Sequence, residues 1–193
     1  MKSFTPITAA WWCWVVLMTV WSIGALFTKR SKFKESRLKR LSHTLPLALA
    51  VWITFAYRRH PFIGGKLFDT SWANPLMYLA VSMTVAGCVF AIWARVHLGR
   101  YWSGIITLKE GHRLITTGPY QFVRHPIYTG WLMAITGTAV TAGNVDGFLC
   151  LAFVTLAFII KLYREEALMM TEFGDEYRRF KQAVPAALIP FVF

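Results

Sequence analysis

Five runs of apolar residues, separated by stretches rich in glycine, polar and basic residues, set the pattern of this chain. They cover Thr8 to Phe27, Leu41 to Tyr57, Pro75 to Ala94, Pro126 to Gly143 and Val145 to Tyr163. A hydrocarbon core about 30 Å thick takes roughly 20 residues of helix to cross. By that measure the second and fourth runs, which carry Pro46 and Pro126, are marginal in length. The pattern predicts an all-α, polytopic membrane protein with about five transmembrane helices. It reads as one membrane domain over 1–193: three spans in 1–94, then a long loop, a helical hairpin and a C-terminal helix in 95–193. The first run is tryptophan-rich and is followed by a basic block instead of a small-residue cleavage site, so it is expected to be a retained anchor.

Composition agrees with lipid as the solvent: 56% of the 193 residues are hydrophobic and 16% charged, where soluble domains carry about 25% charged residues. The net charge of +12 is then a question of position. Lys29, Arg30, Lys32, Lys34, Arg37, Lys39 and Arg40 fill the first loop, whereas the short loop at Asn144 and Asp146 has no Lys or Arg. Basic residues resist translocation. All but four of the 21 fall on one side, the exceptions being Lys2, Arg58, Arg59 and Lys66. This predicts an outside N-terminus and a cytosolic C-terminus.

The same distribution argues against nucleic acid as a partner, because the aromatics lie in or beside the apolar runs and not interleaved with the basic residues on a soluble face. Ion-coupled transport is also disfavoured: the interiors of the runs hold almost no ionisable residues, and no repeated half is visible. Cys13, Cys88 and Cys150 lie inside runs without metal-ligand spacing and read as small apolar thiols. The first loop reads as a basic stretch against lipid head groups.

The segment from Arg95 to Arg124 is different. About 30 residues hold Gly99, Gly104, Gly111, Gly118 and Pro119 among His97, His112, Tyr101, Trp102 and Tyr120, the character of a folded, ligand-approaching loop. It ends in Arg124-His125-Pro126, where proline suits the first helical position. The exposed N–H groups and helix dipole beside Arg124 would seat a carboxylate or phosphate. Because the connection between the fourth and fifth runs is short, Lys161, Glu165 and Glu166 should return to that same helix end, so that Arg124, His125, Tyr128 and Glu165 converge. A plain structural alternative stays open: Lys161 and Glu165, four residues apart, pair on one helix, and Arg124 snorkels to the interface.

The stretch from Gly111 to Trp131, GHRLITTGPYQFVRHPIYTGW, resembles the cofactor-binding segment of isoprenylcysteine carboxyl methyltransferases and related phospholipid methyltransferases. The likeness continues through Glu165-Glu166 and Glu172-Phe173-Gly174-Asp175-Glu176-Tyr177, and covers about Arg95 to Pro185. It implies an S-adenosyl-L-methionine-dependent membrane enzyme. Carried over by motif, the cofactor would be held by His112, Arg113, Leu114, Ile115, Tyr120, His125, Pro126, Ile127, Tyr128 and Glu165. Arg124 and Glu165 would be the catalytic pair and Lys161 would face the substrate. The family has arginine at the position of Lys161, and lysine keeps the charge without the bidentate fork.

The implied chemistry is in-line methyl transfer, which needs positioning and water exclusion more than a base or a metal. The implied acceptor is lipophilic or lipidated, entering from among the membrane lipids: an isoprenylcysteine-like carboxylate, a small thiol, or a phospholipid amine. For the amine, His112 or His125 is a candidate base. Two other readings are carried forward: a sterol or enone reductase using NADPH in a similar pocket, and a non-catalytic transporter or scaffold.

Overall fold

The computed structural model describes residues 4–34, 36–56 and 65–189; Lys2, Arg58, Arg59 and Tyr57 lie outside them. The described residues form α1 (Pro6–Ala25), β1 (Ser31–Lys34), α2 (Arg37–Ala56), α3 (Leu76–Leu98), β2 (Thr107–Lys109), α4 (Pro126–Ala142), α5 (Val145–Phe173) and α6 (Asp175–Ala183). Short 3₁₀ turns at Gly99–Tyr101 and Gly118–Gln121 shape the loop between α3 and α4. By length and composition α1, the stretch Leu76–Tyr101 and α5 suffice to cross a membrane. With 17 residues α4 is short, and α2 opens on Arg37, Lys39 and Arg40.

Local chemistry sets the helix ends. Thr5 caps α1 by accepting from the Thr8 N–H, with Pro6 beginning the helix; Asn144 caps α5 by accepting from the Gly147 N–H at 3.0 Å. Gly143, at φ +61°, breaks α4 in the left-handed region that an L side chain resists, so α5 turns straight back along α4. The fifth helix runs ten residues beyond its apolar stretch, through Arg164, Glu165 and Glu166 to Phe173. Nothing in 164–173 interrupts it until Gly174, at φ +50°.

Packing between α3 and α4 depends on small residues. A Cβ at Gly130 would sit 2.6 Å from the Ala91 backbone nitrogen, and Gly87 and Gly137 face equally close backbone. Without a hydrophobic driving force between helices in lipid, such close approach supplies the dispersion contacts that hold them together. Trp14 adds a donor from α1, its indole N–H reaching Thr138 Oγ1 at 2.8 Å. Gly130→Leu should therefore abolish assembly of the pair, because the clash is with backbone on the facing helix. Loss of the monodisperse detergent peak and of the cooperative melt checks this; a wild-type melt would refute it.

The fold is not wholly helical. Ser31–Lys34 pairs antiparallel with Thr107–Lys109, with a register shift between Ser31 and Phe33. Lys29 N–H donates to Arg100 O at 2.9 Å, and Lys29 Nζ reaches Tyr101 Oη and Glu110 O. The basic first loop is thus part of the wall built on the α3–α4 loop, and its backbone groups are satisfied there at the rim of the helices.

Candidate active site

The long loop, α4 and α5 enclose one cavity of about 610 Å³, within the ~300–1,000 Å³ range of small-molecule sites. It has two unlike ends. One is polar and gathers residues from the loop, the start of α4 and the far part of α5: His112, Tyr120, His125, Tyr128, Lys161 and Glu165. The other runs down among α1, α2, α4 and α5 past Trp21, Leu47, Ile135, Cys150 and Val154. From Glu165 to Cys150 along α5 is about 22 Å at the helical rise.

At the polar end Tyr128 donates its hydroxyl to Glu165 Oε2 at 2.7 Å. Lys161 Nζ lies 3.8 Å from Glu165 Oε1 and donates to the Gly104 carbonyl at 2.8 Å. His125 Nδ1 is 3.7 Å from Glu165 Oε2. The His125 and Tyr128 rings stack at 5.5 Å, and Tyr128 stacks in turn on Phe158 at 4.6 Å. Glu165 thus presents a carboxylate to the cavity, oriented by a phenol and flanked by a lysine and an imidazole, with an aromatic column beside it.

The loop supplies the opposite wall. His112 sits between the rings of Tyr101 and Phe173, at 5.4 and 5.8 Å. Leu114 and Ile115 pack against the cluster of Tyr120, Tyr177 and Phe180; Arg113 is exposed at the rim. Tyr120 is buried, stacked against His97. Burial, then the negative charge of Glu165, push its hydroxyl well above the usual phenol range, opposed by Arg95. It is therefore a neutral aromatic wall and not a base. Pro126 begins α4 and Ile127 lines the cavity beside Tyr128.

The structure brings the sequence-predicted residues to one cavity, with two differences. Pro126 shapes the helix start without lining the space. Arg124 lines the cavity but is committed elsewhere: its Nε donates to Glu166 Oε1 at 2.6 Å, and its Nη1 to the carbonyls of Val184 and Pro185. The expected seat for a carboxylate on Arg124 is thus filled by the protein's own acceptors. What the sequence reading missed is this buried knot, in which Lys181 Nζ also meets Glu166 Oε2 at 2.6 Å. The tail crosses the start of α4 there: Arg124 and His125 N–H donate to the carbonyls of Ala186 and Ala187, and Thr129 Oγ1 donates to Leu188 O at 2.6 Å. The adjacency of Glu166 to Glu165 was the available signal.

Residues 79–171 match the model for the isoprenylcysteine carboxyl methyltransferase family, and the match contains the loop, α4 and the glutamates of α5. This stretch of the chain belongs to that family. Over 179 residues it is 31% identical to the protein-S-isoprenylcysteine O-methyltransferase of Xenopus laevis, covering 88% of this chain and 58% of that one. The Schizosaccharomyces pombe protein of the same name is 34% identical over 98 residues, 49% of this chain and 42% of its own length. A solved eukaryotic intramembrane Ras methyltransferase of the isoprenylcysteine carboxyl methyltransferase family shares the fold at TM-score 0.55 and 23% identity, over 78% of this chain and 52% of that chain. This chain therefore spans about half the length of these family members. Its apolar helices and the family fold together make it a multi-pass integral membrane protein.

Proposed function

We propose that the chain is an S-adenosyl-L-methionine-dependent methyltransferase whose acceptor carries a long lipophilic tail and a small anionic nucleophile, as an S-prenylated cysteine carboxylate does. The observation that carries this reading is the joining, in one cavity, of a polar end bearing Glu165, Tyr120, Tyr128, His125 and Lys161 to an apolar arm between helices. The donor set suits the cofactor. Glu165 offers a carboxylate to hydroxyl or ammonium groups, His125 and Lys161 offer cationic or donor groups to a carboxylate, and His112 to Ile115 with Tyr120 form an apolar and aromatic wall for a flat base. When bound, the cofactor supplies a sulfonium methyl that an acceptor's lone pair takes as the carbon–sulfur bond breaks.

The chain's own contribution is placement. Lys161 lies at the junction of the two ends, over the Tyr128 ring at 5.6 Å, where a cation would hold an acceptor carboxylate with its tail directed down the apolar arm. An acceptor already anionic needs no base, so the stacked His125 need only orient and donate. The loop on one side and the helices on the others limit water at the polar end, which strengthens the charge contacts inside. All five long helices cross the bilayer in this reading, with the polar end and C-terminus in the cytosol, as the basic residues favour. The apolar arm and the family relation favour this chemistry over a nicotinamide-dependent reductase or a transporter.

Calorimetry of S-adenosylhomocysteine on the purified protein, with NADPH in parallel, tests the cofactor; transfer of labelled methyl to an S-farnesylated cysteine tests the acceptor. Binding of NADPH with no binding of S-adenosylhomocysteine would overturn the proposal. Narrowing the apolar arm separates the two ends. Ile135→Trp should lower kcat/KM for a farnesylated acceptor by about tenfold or more, as pocket volume controls long-chain fit, while S-adenosylhomocysteine affinity stays at the wild-type value.

A further inference from the structure

A second cavity, of about 320 Å³, lies outside the first, between α1 and the end of α3. Its walls are apolar: Val20 and Ile23 from α1, Phe27 just beyond it and Val96 from α3. Ile23, Phe27 and Val96 are more than half exposed, so the groove opens sideways toward lipid and not toward the first cavity. Two cations, Arg95 and Arg100, complete it.

Arg95 is the unusual one. It is 3% exposed, and among the described residues it has no carboxylate partner. Only Nη1 is hydrogen-bonded, to Gly99 O at 3.0 Å; Nε and Nη2 have no partner. The guanidinium stacks on the Trp102 ring at 4.3 Å and approaches Trp21 at 5.9 Å. Nη2 lies against Gly24, where a Cβ would come within 2.9 Å of it, so only the bare backbone of Gly24 leaves room for the guanidinium at the groove wall. A buried cation with two unmet donors at a membrane interface calls for an anion.

We infer that this groove binds one anionic phospholipid, its phosphate on Arg95 and Arg100 and an acyl chain along Val20, Ile23, Phe27 and Val96. The phosphate supplies the acceptors that Nε and Nη2 lack, with the charge-assisted geometry that guanidinium favours. The apolar walls explain why a lipid and not a soluble phosphate is the ligand. Trp21 and Trp102, which contact Arg95, also line the first cavity, so the occupied groove braces one of its walls.

The test uses the full chain in a nonionic detergent, with dioleoylphosphatidylglycerol, dioleoylphosphatidylcholine or inorganic phosphate added, read by native mass spectrometry and by thermal unfolding. One phosphatidylglycerol per chain should be retained with a rise in Tm, and phosphatidylcholine and inorganic phosphate should give less of both. Arg95→Gln should weaken retention by about tenfold, the scale of one or two hydrogen bonds to a charge. In case that variant does not fold, Arg100→Gln and the groove-filling Ile23→Trp should each weaken it too. Arg30→Gln and Arg178→Gln, basic but remote from the groove, should retain lipid as wild type. Equal retention of phosphatidylcholine, equal stabilisation by inorganic phosphate, or an equal loss in Arg30→Gln would overturn the inference.

Discussion

Glu165→Gln should remove S-adenosylhomocysteine binding from the calorimeter's range, a loss of at least about 100-fold, while the protein still folds and melts cooperatively. The side chain is partly exposed to the cavity, and its buried counter-charge Lys161 keeps a hydrogen bond to the Gly104 carbonyl when the carboxylate is gone. Its partners are a phenol at 2.7 Å and a lysine at 3.8 Å that also has the Gly104 carbonyl. What disappears is an oriented anion in the polar end. A hydrogen bond to a charged group contributes roughly 1.5–3 kcal/mol, and a carboxylate that accepts two from one ligand accounts for the expected factor. Tyr128→Phe isolates the orienting contact and should cost about tenfold on the same scale. If Glu165→Gln binds as wild type, Glu165 is only the helical partner of Lys161, and the proposed cofactor site fails with it.

Much of this site was legible because its parts are local in sequence. The motif around Arg124-His125-Pro126 announces a helix start, Pro126 begins α4 as its ring geometry favours, and the break at Gly143 returns Glu165 to that end. Hydropathy found α1, α3 and the start of α5 for the same reason: one property repeated over 20 residues. It lost α5 at Tyr163, because Arg164 and two glutamates look like the end of a span although they continue the helix into the aqueous wall. The ribbon of Ser31–Lys34 on Thr107–Lys109 has no signal in either segment alone, since its stability lies in a pairing between distant stretches. Arg124 was legible as a cation at a helix end but not as a cation already answered. Its acceptors lie on α5 and in the tail at Val184 and Pro185, an apolar stretch that carries no mark of its role.

The neighbouring glutamate should behave in the opposite way. Successive residues on a helix diverge by about 100°, so Glu166 turns from the cavity into the knot of Arg124, Lys181 and the tail carbonyls, with 8% of its side chain exposed. Glu166→Ala leaves the Arg124 guanidinium buried without its counter-ion, which costs roughly 3–5 kcal/mol. The expected result is a large fall in Tm, with the C-terminal tail becoming susceptible to protease, because the knot fastens Val184–Leu188 over the start of α4. Removing both charges as Arg124→Leu with Glu166→Leu should recover part of the lost stability, since a buried pair replaced by apolar residues leaves no stranded charge. Tail carbonyls that Arg124 now satisfies would remain unmet, so recovery should be incomplete. A Glu166→Ala protein with wild-type Tm and a protected tail would mean that α4 and α5 hold the tail by packing alone. Ligand binding distinguishes the two glutamates: at low temperature, where the Glu166 variant is folded, it should still bind S-adenosylhomocysteine, whereas the Glu165 variant should not at any temperature.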